Sequence, residues 1–158
     1  MPSVISHGIM GYILFGIKGL IFSIIPDIVG VTNYFYKTIF VYKTVNFNNP
    51  MNTWSPFNLM SDLDIFLYNI SHSLVIWLSL FFIFRKKYLL APILGIIMDI
   101  ILHSKDRWLG PAFLYPFSEY RFDGIHWNSK SGYAITFLTI IMILVIKHKD
   151  KICKTLIK

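Results

Sequence analysis

Apolar residues fall into four blocks along this chain, at 8–25, 65–84, 88–103 and 132–146, with polar or aromatic connectors between them. The second block makes a helix of about 30 Å at ~1.5 Å per residue, the depth of one hydrocarbon core. The third and fourth are shorter and need little tilt or some local thinning of a bilayer. Arg85-Lys86-Lys87 predicts a tight basic turn that pairs the second and third blocks as a helical hairpin. Residues 31–45, with Tyr34, Phe35, Tyr36, Phe40 and Tyr42 beside Lys37 and Lys43, predict an interfacial helix. Residues 46–56 read as loop. Residues 104–131, punctuated by Gly110, Pro111, Pro116 and Gly124 and carrying Trp108 and Trp127, read as a structured loop at a membrane face.

The first block is open to two readings. A single straight helix puts His7 and Asp27 about 30 Å apart, at opposite faces. Gly11, Gly16 and Gly19 interrupt the block, however, and Lys18 lies near its middle. A turn around residues 16–19 folds the block on itself and returns His7 and Asp27 to one face.

Composition supports the membrane reading. Of 158 residues, 55% are hydrophobic and 17% aromatic, more than the roughly 45–50% apolar content of an average soluble domain. One integral-membrane domain over 1–158 accounts for that length. The formal charge is +7, but it does not mark a nucleic-acid surface, because the basic residues gather at block ends. Arg85, Lys86 and Lys87, and then Lys147, Lys149, Lys151, Lys154 and Lys158, have the distribution of cytoplasmic anchors. With both basic segments inside, the polar ends of blocks two, three and four share the outer side. The start, MPSVISH, lacks the basic region of a cleavable signal peptide. Cys153, the single cysteine, forms no intrachain disulfide and no thiolate metal site, and as a free thiol it fits a reducing cytoplasmic side.

Ionisable residues inside such blocks suggest function. His72 lies in an apolar run, and Asp99 and His103, four residues apart, share one helical face. Together with His7 and Asp27 they offer nitrogen and oxygen ligands without a thiolate, a set that suits Zn²⁺ and less selectively Mn²⁺ or Fe²⁺. A divalent ion held there lowers the pKa of a bound water toward neutrality, and a second ion would need help from the loop. Asn69, Ser71 and Ser73 flank His72 and are candidates for support or substrate contact, as are Asp106 and His126 in the loop; a serine bonding back to helix carbonyls is the commoner arrangement. Asp62 and Asp64 read as structural, since carboxylates favour a helix N-terminus. Trp108, Trp127 and Tyr120 read as interface anchors. The set of five is equally compatible with polar groups that satisfy one another between packed helices, as in a non-catalytic scaffold or a small transporter subunit. No Gly-rich phosphate loop, H-E-x-x-H or nucleophile elbow is present.

Several of these segments occur together in a known family. MPSVISHG, SIIPDIVG, YNISHSLVI and MDIILHS followed by FLYPFSEYRFDGIHW resemble, in order, the motifs of the YdjM/YbcI-like membrane-bound metal-dependent hydrolase family, also described as LexA-binding inner-membrane hydrolases. The resemblance covers most of the chain and points to His7, Asp27, His72, Asp99 and His103 as metal ligands. It implies a relation to the zinc-dependent phospholipase C and nuclease superfamily, hence Zn²⁺ and a phosphoester or lipid-type substrate. It also favours the folded first block. Two departures stand out. Related sequences often carry a His where this chain has Gly95, and others carry one near Asn69. No residue here bears on the repressor binding named in the family label.

The expected protein is thus an all-α membrane bundle, with three spanning helices and a broken N-terminal helical hairpin. Its site would hold one or two divalent ions near the outer interface. Its partners would be the lipid bilayer and a small-molecule or lipid substrate. No general acid is assigned.

Overall fold

A computed structural model describes residues 2–41, 60–103, 110–127 and 129–156. The fold is all-α, with no strand among the described residues. Helix α1 covers Pro2–Tyr36 and runs into a π-helical turn, Lys37–Val41. Helices α2 (Asp62–Ser71) and α3 (Leu74–Phe84) follow, then a 3-10 turn at Lys87–Leu89, α4 (Leu90–Leu102) and α5 (Lys130–Leu156).

The apolar helical stretch Val4–Val41 has 38 residues, about 57 Å if straight and nearly twice a hydrocarbon core of about 30 Å. It is not straight. Gly16 takes φ 67, ψ −153, a conformation open essentially to glycine alone, and the helix doubles back there. The limbs 2–15 and 17–36 touch backbone to backbone, since a Cβ on Gly11 would stand 2.4 Å from the Gly19 carbonyl oxygen. One limb carbonyl near the turn is satisfied from outside, as Lys147 Nζ donates to the Ile13 carbonyl. Lys18 lies over the Tyr88 ring at 5.8 Å, next to the Arg85–Lys87 turn. Basic residues from three parts of the chain thus meet at one end of the bundle.

Two apolar clusters fill the interior. Met10, Met98, Leu102 and Ile143 join the first limb of α1, α4 and α5. Trp77, Leu89, Ile93 and Ile96, with Phe22 and Ile25 against them, join α3, α4 and the second limb. Outside, α5 presents Phe137, Leu138, Met142 and Ile146, all more than half exposed, a larger apolar surface than a soluble monomer tolerates. Val4–Val41 and Lys130–Lys149 are long and apolar enough to cross a membrane, and α2 with α3, bent by 45°, would make a broken third span.

Three expectations change. The block 65–84 is two helices, because the chain breaks at His72–Ser73. The interfacial helix expected at 31–45 is a continuation of α1 as far as Tyr36, with Val31, Tyr34 and Thr38 buried; residues 42–45 lie outside the described residues. The third block yields α4, 13 residues and about 20 Å, shorter than a hydrocarbon core. The structural reading of Asp64 matches what is found: Ser61 and Asp64 form a capping box, and Lys37 Nζ reaches Asp64 Oδ2 at 3.0 Å, tying α2 to the end of α1.

Candidate metal centre

The fold-back at Gly16 brings the first limb's His7 against the second limb's Asp27. Their Nδ1 and Oδ2 atoms are 3.1 Å apart, although 20 residues of straight helix would separate them by about 30 Å. Asp27 follows Pro26, which has no N–H to give to the helix ladder. His72 ends α2 with φ −102, ψ 21, at the break that directs it inward. Asp99 sits in the last turn of α4, between residues of the two apolar clusters, and His103 caps that helix. All five side chains are buried.

Four of them form a closed ring of alternating imidazole and carboxylate. From the 3.1 Å contact it continues through His7 Nε2 to Asp99 Oδ1 (3.4 Å) and Asp99 Oδ2 to His72 Nε2 (3.8 Å), then closes from His72 Nε2 to Asp27 Oδ1 at 3.7 Å. His103 joins from outside, its Nδ1 3.7 Å from Asp99 Oδ1. Ligands about 2.0–2.1 Å from a tetrahedral ion stand roughly 3.3 Å from one another, close to these spacings. His7, Asp27 and Asp99 offer ligand atoms that all lie within 4.8 Å of each other, while His72 and His103 adjoin that trio through Asp99.

Neighbouring groups set the proton on each outer histidine. The carbonyl of Tyr68 accepts from His72 Nδ1 at 3.2 Å, so Nε2 keeps its lone pair and points it at both carboxylates. Ser71 Oγ donates to that carbonyl at 3.1 Å and lies 3.0 Å from His72 Nδ1, and the Tyr68 ring stacks on the imidazole at 4.2 Å. In His103, Nδ1 donates to the Asp99 carbonyl at 2.9 Å, which leaves Nε2 as the acceptor. Two buried carboxylates and the His72 lone pair therefore converge on a His7 ring that can donate one N–H and offer one lone pair, and among the described residues no lysine or arginine pairs with Asp27 or Asp99. Such a concentration of acceptors favours a cation. Two glycines give the imidazoles room. A Cβ on Gly95 would stand 3.2 Å from His7 Cγ, and one on Gly30 3.0 Å from His72 Cε1.

The loop 110–127 holds the site's open end together. Ser73 caps α3 by accepting from Ile76 N at 3.3 Å and donates to the Tyr115 carbonyl, while Leu74 N donates to Phe113 O at 2.9 Å. Gly124 N and Ile125 N donate to the carbonyls of His103 and Ile101, both at 2.8 Å, which closes the C-terminus of α4. Ser71 shows the back-bonding expected of it and also touches His72; Ser73 is an N-cap rather than a contact of the ring. His126 stacks on Trp127 at 5.8 Å, Trp127 packs on the first apolar cluster, and Tyr120 is exposed. Asp106 and Trp108 lie outside the described residues.

The sequence reading passed over Arg121. This half-buried side chain donates from Nη2 to Asn69 Oδ1 at 2.6 Å and from Nη1 to the Gly110 carbonyl. Burial pushes the guanidinium below its ordinary pKa, with Tyr68 and Glu119 pulling the other way; it stays charged at neutral pH. Its signal in the sequence was a lone cation among the aromatic residues of FSEYRF. Beside Asn69 an open cleft of about 250 Å³ is lined by Asp62, Ile65, Phe66, Asn69, Tyr115 and Glu119.

Replacing Ser71 by Ala removes a group that braces His72 without touching the ring's oxygens. Metal affinity, read by competition with a chromophoric chelator, is expected to fall by about 10-fold, in the range typical of such supports.

Comparison with protein-family models, curated proteins and solved structures found no match for this chain.

Proposed function

We propose that the protein is a membrane-bound metal-dependent hydrolase of the YdjM/YbcI-like kind, acting on a phosphoester, soluble or carried on a lipid. One observation carries the reading: two buried carboxylates and two histidines close into a ring of neighbouring oxygen and nitrogen ligand atoms. His7, Asp27 and Asp99 would hold the ion, with His72 and His103 completing its surroundings. The nitrogen and oxygen donors favour Zn²⁺ over softer or larger ions. A bound divalent ion would supply Lewis acidity and an activated water for attack at phosphorus.

The chain's own residues would do the rest. Tyr68 and Ser71 fix the His72 tautomer, and the Asp99 carbonyl fixes that of His103. The apolar clusters on both sides keep bulk water from the carboxylates. Substrate would approach at the cleft beside Asn69, one helical turn before His72, although none of the residues that line it belongs to the ring. With the basic end of the bundle and its C-terminal tail on the cytoplasmic side of an inner membrane, the ring opens toward the outer side.

Purified in detergent without chelator, the protein is expected to contain about one zinc or manganese per chain, and His72→Ala far less. Elemental analysis reads both. A wild type without metal, or a His72→Ala protein with full content, would leave the polar ring as a lock between helices in a non-catalytic scaffold.

A further inference from the structure

Arg121 is a cation tied to the neighbours of two candidate ligands, His72 and His103. Its guanidinium joins two elements. Asn69, which accepts from Nη2, stands one turn before His72 on α2. Gly110, whose carbonyl accepts from Nη1, packs on His103, with a virtual Cβ 3.7 Å from the His103 Cβ. The charge therefore sits over the gap between the two histidine-bearing helix ends. Both of its acceptors are neutral, and it makes no ion pair among the described residues. A guanidinium has five N–H donors in a planar fork, so N–H groups remain for a further acceptor. That fork matches two oxygens of a phosphoryl group.

Asn69, which accepts from Arg121, also lines the open cleft, and the other lining residues set limits on the ligand. Asp62 and Glu119, both exposed, put carboxylates on the rim, which disfavours a dianion. Ile65, Phe66 and Tyr115 give the same cleft an apolar wall. A phosphate monoanion with an organic substituent, that is, a phosphodiester, fits a cleft with rim carboxylates and an apolar wall whose Asn69 is held from behind by one guanidinium.

We propose that Arg121, seated on Asn69 and Gly110, is the group that receives the phosphoryl oxygens of a phosphodiester substrate at the mouth of the His/Asp ring. The proposal rests on the hydrolase reading for the identity of the ring, and its test separates the two. Zinc-loaded protein in detergent would be titrated with dimethyl phosphate in one arm and short-chain phosphatidylglycerol in the other, with zinc content measured on the same samples. Arg121→Met is expected to weaken binding at least 10-fold in every arm where the wild type binds, while keeping its zinc. Arg121→Lys should keep part of the affinity. Asn69→Asp, which gives the guanidinium an internal carboxylate, should also weaken binding with zinc retained, and it tests the idea even if Arg121→Met fails to fold. A lipid arm much tighter than the dimethyl phosphate arm identifies a membrane phosphodiester as the source, and similar affinities identify a soluble one.

Unchanged affinity in Arg121→Met, absence of wild-type binding in both arms, or loss of zinc together with affinity would overturn the proposal; the last would make Arg121 a clamp on the loop. Arg121-dependent binding by a wild type that holds no zinc would uphold this inference while ending the metal reading.

Discussion

Asp99→Asn protein is expected to lose about 100-fold or more in metal affinity and to purify with little metal. Asp99 is the hub of the ring: its two oxygens and its carbonyl contact His7, His72 and His103. Altering groups that merely support a ligand commonly costs 10–100-fold, so a ligand in contact with three histidines should cost at least as much. Asparagine keeps the shape, and the Asp99 carbonyl that holds His103 is main chain, so packing of α4 should persist. With no cation bound, two neighbouring buried carboxylates disfavour one another's charge, so removing one also relieves repulsion. The metal-free mutant should therefore melt no lower than the metal-free wild type. Thermal melts with and without EDTA, beside elemental analysis, separate this from a purely structural ring, for which Asp99→Asn would lower stability and leave metal content unaltered.

Gly11→Val should have the largest effect on the fold. The new Cβ would meet the Gly19 carbonyl at 2.4 Å, and the obstacle is main chain, so the limbs must part. Overpacking of this kind costs about 3 kcal/mol or more. The damage should reach the ring, because parting the limbs draws His7 from Asp27. Lower melting temperature and lost metal are expected together. Gly8→Ala is the control: its Cβ would meet only the Leu20 and Ile24 side chains, at 3.3 and 3.5 Å, and these can yield. Retention of metal and stability by Gly11→Val would mean that the two limbs do not need their close contact.

Much of this architecture could be read from the chain. Continuous apolar blocks announce helices, and clustered lysines mark one end of a bundle, because burial and charge act locally on each block. The five ionisable residues stood out against apolar surroundings, and the structure brings them together. What periodicity could not decide was the shape of α1: Gly11, Gly16 and Gly19 allow a turn without requiring one. Tertiary contacts decide it, through the Lys147 cap on Ile13 and the pairing of His7 with Asp27. The break between α2 and α3 was hidden for a similar reason. Its loose Leu74 N–H is satisfied by the Phe113 carbonyl, and the Ser73 hydroxyl by that of Tyr115, some 40 residues away in sequence. Arg121 went unnoticed because its acceptors, Asn69 and Gly110, come from separate parts of the chain.

The doubling at Gly16 also fixes the parity of the chain's traverses. Because α1 turns back, it makes no net passage from one end of the bundle to the other. The α2–α3 pair, α4 and α5 then make three, so the residues at the two extremes of the chain, near Pro2 and near Leu156, finish at opposite ends. A straight α1 would make that number four and put both extremes on one side.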